Sequence, residues 1–175
     1  YEGEHVENVT DNDDVVDCDV AAGTAWLFSD PSHEQKLDYL FIDEAGQVSL
    51  ADALAMATCA RNVILVGDPQ QLAQVLQGSH PPGSGSSVLT HLLGDADTIP
   101  PDRGLFLERS YRLHPDVCDY VSEEFYEGRL LPDPVTATRT TRLGTGLRYL
   151  PVEHRRRRQE SPEEAARVRD QVEAL

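Results

Sequence analysis

Tyr39-Leu40-Phe41-Ile42-Asp43-Glu44-Ala45-Gly46-Gln47 is the stretch that decides the fold. An apolar run ends abruptly in two adjacent carboxylates and then in small residues. A strand over Leu37–Asp43 would carry Asp43 to its carboxyl end, where open α/β sheets place their ligands. There one carboxylate can hold Mg²⁺ through its water shell while its neighbour polarises an attacking water. A second apolar run, Asn62-Val63-Ile64-Leu65-Val66, ends in Gly67-Asp68-Pro69-Gln70-Gln71-Leu72. Two strands that deliver polar groups to one sheet edge describe a nucleotide triphosphatase site.

The remaining punctuation supports an alternation of strands and helices, and hence an α/β fold with a parallel sheet covered by helices on both faces. Ser49 suits an N-cap for a helix through Ala60, with Leu50, Leu54 and Ala57 at helical spacing. Gly78–Ser87 is rich in Gly, Ser and Pro and reads as a loop, with Pro82–Ser87 a flexible connector, before a short helix Val88–Leu93. Residues 99–104 look like an interdomain connection. Beyond it the pattern predicts a strand Leu105–Glu108 and a helix from Pro115 to about Tyr126, closed by Gly128. A polar, mobile connection over 132–145, a strand Leu147–Val152 and a helix opened by Ser161-Pro162-Glu163-Glu164 complete the chain. Toward the start, residues 1–20 read as an acidic surface segment with a short strand near Val15–Val20, followed by a turn and an apolar patch, Gly23–Ser29.

Composition narrows the function classes. At 175 residues with 39% hydrophobic content, the chain can build an ordinary core. Its apolar runs are strand-sized and fall short of the roughly 20 residues that span a membrane, and no signal peptide is visible. Cys18, Cys59 and Cys118 have no CxxC spacing and read as free thiols in a reducing, cytoplasmic setting. The net charge of −16 argues, taken whole, against a nucleic-acid partner. The charge is uneven, however: residues 1–20 hold no basic residue, and the last third is Arg-rich, including Arg155 through Arg158. The single lysine, Lys36, has no glycine beside it, so the chain contains no GxxxxGK[ST] phosphate loop. The chain begins at Tyr1 and its only methionine is Met56, which reads as a piece of a longer protein with that loop upstream, or as a dead site.

Each candidate residue has an ordinary explanation beside the functional one. An isolated Asp-Glu pair is commonly a solvated strand end, and Gly-Asp-Pro is common turn chemistry. After an apolar strand, and followed by Ala-Gly-Gln, Asp43 becomes the Mg²⁺ partner and Glu44 the general base for water on a γ-phosphate. A neutral glutamine beyond the second strand can bond both a phosphate oxygen and a water. Arg112 is either a surface arginine or an arginine finger worth roughly 10³–10⁵ in rate, and Tyr111 either stacks on a base or fills the core. A degenerate nucleic-acid-binding or scaffolding module of the same fold would keep these residues without turnover. A metal-dependent hydrolase acting through Asp43 and Glu44 directly lacks a third nearby ligand.

These residues match a known pattern. Asp43-Glu44-Ala45-Gly46-Gln47 resembles helicase motif II (Walker B), and Gly67-Asp68-Pro69-Gln70-Gln71-Leu72 resembles motif III. Ser110-Tyr111-Arg112-Leu113-His114-Pro115, with Phe125-Tyr126-Glu127-Gly128-Arg129-Leu130 after it, resembles motif IV and its following helix. Order and spacing are similar to those of superfamily 1 helicases of the Upf-like, 5′→3′ branch, over about residues 18–175. The resemblance implies a P-loop NTPase, RecA-like fold with parts of two lobes: 1–98 from the first, 99–104 a linker, and 105–175 from the second. It implies ATP and Mg²⁺ as cofactors, with Asp43 on the metal, Glu44 activating water and Gln71 contacting the γ-phosphate. It further implies Arg112 as the finger, Tyr111 against adenine and Thr24 on the backbone of a bound strand. Single-stranded DNA is the partner favoured over RNA, because the Ala22–Ser29 and Asp43–Gln74 stretches resemble bacterial proteins that join a RecB-like nuclease to such a helicase. Motifs I, V and VI would lie outside Tyr1–Leu175, so these residues alone are expected neither to bind ATP tightly nor to unwind.

Overall fold

A computed structural model describes residues 18–71, 81, 83–154 and 158–175. Most of the acidic segment and of the Val15–Val20 strand, Leu72 to Gln74, Pro82 and Arg155–Arg157 lie outside the described residues. The chain divides into two units, Tyr1–Ala96 and Asp97–Leu175.

In the first unit β1 (Leu37–Ile42) and β2 (Ala60–Leu65) pair in parallel, with Leu37 opposite Ala60 and Ile42 opposite Leu65. Among the described residues three α-helices accompany them: α1 (Ala25–Phe28), α2 (Leu50–Ala57) and α3 (Val88–Leu93). Ala53 and Met56 of α2 and Val88 and Leu89 of α3 share one core with Leu40 and Ile42 of β1, and Ala25 and Phe28 of α1 pack against it. The fold is therefore α/β with parallel strands and helices. Helices cover one face of the described sheet; on the other, Tyr39, Phe41 and Ile64 are exposed. Parallel sheets ordinarily bury both faces.

Local signals set the helix starts. Ser49 Oγ accepts the Asp52 N–H at 3.1 Å, and Ser87 Oγ accepts the Thr90 N–H at 3.0 Å, each satisfying an amide that the first helical turn leaves over. The α2 helix stops three residues before the predicted end at Ala60. The Thr58 and Cys59 carbonyls accept bonds from the Gln35 and Leu37 N–H groups, both at 3.0 Å, so strand pairing recruits this backbone first. The end of the connector next to α3 is also better fixed than its composition suggests. Leu50 N–H bonds to the Ser86 carbonyl and Val88 N–H to the Val48 carbonyl, both at 2.9 Å.

The described residues of the second unit form a two-residue parallel ladder, β3 (Arg109–Ser110) with β4 (Leu131–Pro132), and two α-helices, α4 (Pro115–Phe125) and α5 (Pro162–Ala174). The strands predicted over Leu105–Glu108 and Leu147–Val152 are absent. Leu105, Leu107 and Tyr149 are exposed, while Phe106 packs against Tyr126 and under the Arg129 guanidinium at 4.5 Å. Apolar alternation there found no neighbouring strand among the described residues, and a strand without a partner leaves its amides unbonded. Arg129 also donates to Thr98 Oγ1 at 2.7 Å and to the Ile99 carbonyl at 3.1 Å, tying the predicted linker region to the end of α4. The 132–145 connection contains a 3₁₀ helix, Pro134–Thr138, with Thr136 fully buried.

Candidate functional site

Asp43 and Glu44 stand exposed directly after β1. Asp43 Oδ1 accepts the Glu44 N–H at 2.9 Å, and Glu44 has φ 53° and ψ 39°, the left-handed region. For a residue with a Cβ that conformation costs on the order of 1–3 kcal/mol, and such outliers gather at functional sites. What holds it is the turn behind. Gln47 N–H bonds the Glu44 carbonyl at 2.8 Å, and Ala45, fully buried, donates its N–H to the Val66 carbonyl at 2.9 Å. Val66 in turn donates to the Ile42 carbonyl at 2.9 Å, so the parallel ladder continues past both strands and carries the two loops side by side.

Two glycines set how close these loops come. A Cβ on Gly46 would lie 2.3 Å from the Asp68 carbonyl oxygen, and one on Gly67 would lie 2.7 Å from the Ala45 nitrogen. Both contacts are with backbone, which cannot swing aside. The approach is therefore available only to glycine at either position. In the second loop Asp68 acts as organiser: its carboxylate accepts the Gln70 N–H at 3.0 Å and the Gln71 Nε2 at 3.4 Å. Gly46, Gly67 and Asp68 stand inside the two motif stretches, but nothing in the sequence assigned any of them a role of its own. The Gly-Asp-Pro turn itself was the available signal for Asp68.

The first unit thus brings the Asp43–Glu44 loop against the Asp68–Gln71 loop. Thr24 is exposed at the N-terminal boundary of α1, and its side chain makes no cap bond. Tyr111 and Arg112 belong to the second unit, exposed between β3 and α4. Ser110 Oγ accepts the Arg112 and Leu113 N–H groups at 3.4 and 3.3 Å. His114 then caps α4, its Nδ1 accepting the Asp116 N–H at 3.2 Å, with Pro115 at the first helical position. The Arg112 guanidinium has no ion-pair partner among the described residues.

The donor set suits a hydrated cation better than a caged one. No group of three or more His, Cys, Asp or Glu among the described residues could hold a metal ion. Asp43 Oδ1 is engaged by the Glu44 amide, which leaves Oδ2 for an ion that keeps most of its waters, as Mg²⁺ does. Burial pushes the Cys59 and Cys118 thiols above their usual range, the signature of structural rather than reactive cysteines. No helix among the described residues is long and apolar enough to cross a membrane.

A family model described as an AAA domain matches residues 3–81. The chain is 35% identical over 111 residues to the probable helicase MAGATAMA 3 of Arabidopsis thaliana, covering 60% of this chain and 13% of that protein. It is 31% identical over 113 residues to the DNA replication ATP-dependent helicase/nuclease dna2 of Schizosaccharomyces pombe, covering 64% of this chain and 8% of that protein. With the ATP-dependent helicase upf1 of the same yeast it shares 32% identity over 108 residues, 61% of this chain and 11% of that protein. The chain spans only a small part of each relative. These similarities make it a superfamily 1 helicase-like chain, with parallel strands and helices as in a partial RecA-like, P-loop NTPase fold.

Proposed function

We propose that this helicase-like chain supplies part of an ATP-hydrolysing motor that moves along single-stranded nucleic acid, DNA in preference to RNA, and unwinds it. The observation that carries the reading is the glycine-mediated contact of the two strand-end loops, which sets Asp43, Glu44 and Gln71 at one end of one sheet. Asp43 would hold Mg²⁺ beside the phosphates, where the ion would offset the charge of the triphosphate. Glu44 would take the proton of the attacking water. Gln71, its amide steadied by Asp68, would sense the γ-phosphate. On the resemblance of Ser110–Pro115 to motif IV, Arg112 is assigned the finger role and Tyr111 the adenine contact; Thr24 is assigned a contact with the strand backbone on the weaker likeness of Gly23-Thr24-Ala25 to the family's motif on the nucleic-acid side. Residues 1–98 and 105–175 are assigned to two RecA-like lobes joined by 99–104. The preference for DNA, and a nuclease fused in the same protein, rest on similarity to proteins such as the one named helicase/nuclease in fission yeast.

The test is Glu44→Gln in the full-length protein, assayed for nucleic-acid-stimulated ATP hydrolysis and for nucleotide binding. Hydrolysis should fall by roughly 10²–10⁴, the usual contribution of a positioned general base, while ATP binding persists. Undiminished hydrolysis would remove Glu44 from the role. A wild-type protein that binds nucleic acid but never hydrolyses ATP would leave the scaffolding module in its place.

A further inference from the structure

Arg139 lies outside every motif discussed above, yet its side chain reaches the backbone of one of them. Its Nη1 donates to the Arg112 carbonyl oxygen at 2.9 Å, across 27 residues of sequence. The base from which it reaches is fastened. Arg139 N–H bonds the Thr136 carbonyl at 3.1 Å, and the buried Thr136 hydroxyl donates to the Asp133 carbonyl at 2.7 Å. Asp133 N–H bonds the Ser110 carbonyl at 2.9 Å, and its carboxylate pairs with Arg109 at 3.6 Å. Both ends of the Arg139–Arg112 contact therefore start from the β3–β4 ladder.

We infer that Arg139 is a positioning residue for Arg112, an inference that rests on the finger reading above. The backbone angles that set where a carbonyl points also set where the side chain leaves the chain, so fixing the Arg112 oxygen fixes the Cα–Cβ direction from which the guanidinium reaches. Without Arg139, the Arg112 backbone keeps, among the described residues, the long amide bond to Ser110 Oγ at 3.4 Å. A charged donor on a carbonyl is stronger than a neutral one. The contact borders a cavity of about 310 Å³, also lined by His114 and Arg148. Water therefore competes for the guanidinium, and the effect is partial rather than all-or-none.

The experiment uses the full-length protein and four variants: Arg139→Ala, Arg139→Lys, Arg112→Ala and the double alanine variant. Arg139→Ala should lower kcat for nucleic-acid-stimulated ATP hydrolysis about tenfold while KM for ATP stays within about twofold, the pattern of lost transition-state placement. Lysine retains a donor and should restore most of the rate. The double variant should be no slower than Arg112→Ala alone, since a positioning residue has nothing left to position. Independently of activity, amide exchange at Arg112 and Leu113 should speed up in Arg139→Ala and not in Arg139→Lys. An unchanged kcat in Arg139→Ala, beside a large loss in Arg112→Ala, overturns the positioning role and leaves the finger standing. A double variant slower than Arg112→Ala also overturns it. Full activity in Arg112→Ala overturns the finger reading, and this inference with it.

Discussion

The two units reach order by different means. In the first, Leu40, Ile42, Met56, Val88 and Leu89 bury themselves in one apolar core. In the second, the buried residues among those described are Cys118, Thr98, Ser122 and Thr136, all small and mostly polar. Much of its order comes from polar side chains: Ser122 Oγ accepts the Leu130 N–H at 3.0 Å, and the Thr136, Arg129 and Arg139 bonds add to it. Charge divides the same way. Residues 1–96 hold 16 acidic and 2 basic residues, a net −14, whereas 97–175 hold 15 and 13, a net −2. The chain's net charge of −16 therefore says little about any one surface, and the second unit remains compatible with a phosphate-bearing partner.

The sharpest way to break this contrast is to empty the core of the first unit. Leu40→Ala should cost about 2–5 kcal/mol, the range for a large-to-small core change, seen as faster amide exchange confined to residues 18–71 and 83–96. Loss spreading equally to the second unit would show one shared core instead of two. Gly46→Ala tests the loop contact. Pushing a methyl against the Asp68 carbonyl should cost about 1–3 kcal/mol and lower ATP hydrolysis in the full-length protein. A variant with unaltered melting and activity would show that the loops can separate freely. The smallest effect belongs to the second unit. Thr136→Val keeps the shape and removes one hydroxyl bond, for about 0.5–1.5 kcal/mol in urea titration. A loss as large as that of Leu40→Ala would make Thr136 a core residue in the same sense.

What could be read from the sequence followed from how local the cause was. Ser49, Ser87 and Ser161 each mark a helix start by accepting an amide three residues on, Pro115 marks one through its fixed φ, and α2, α3, α5 and α4 begin there. β1 and β2 were legible because their apolar runs end at hard stops. Leu105–Glu108 and Leu147–Val152 carry similar patterns, but a strand exists only with a neighbour, and a pattern does not say whether a neighbour is present. The carboxylate pair announced itself. The glycine contact between its loop and the next did not, because Gly46 and Gly67 meet only after two strands have found their register. Arg139 was hidden for the same reason, its partner being 27 residues away.

The left-handed backbone at Glu44 sets two demands against each other at one position. Glycine is the residue that occupies φ 53° without steric cost, and glycine has no carboxylate. Selection for a more robust fold would therefore favour relaxing this residue, while selection for its acid group would hold it strained. A library ranked by melting temperature alone would enrich proteins that had lost the acid. Robustness and chemistry have to be scored together at Glu44.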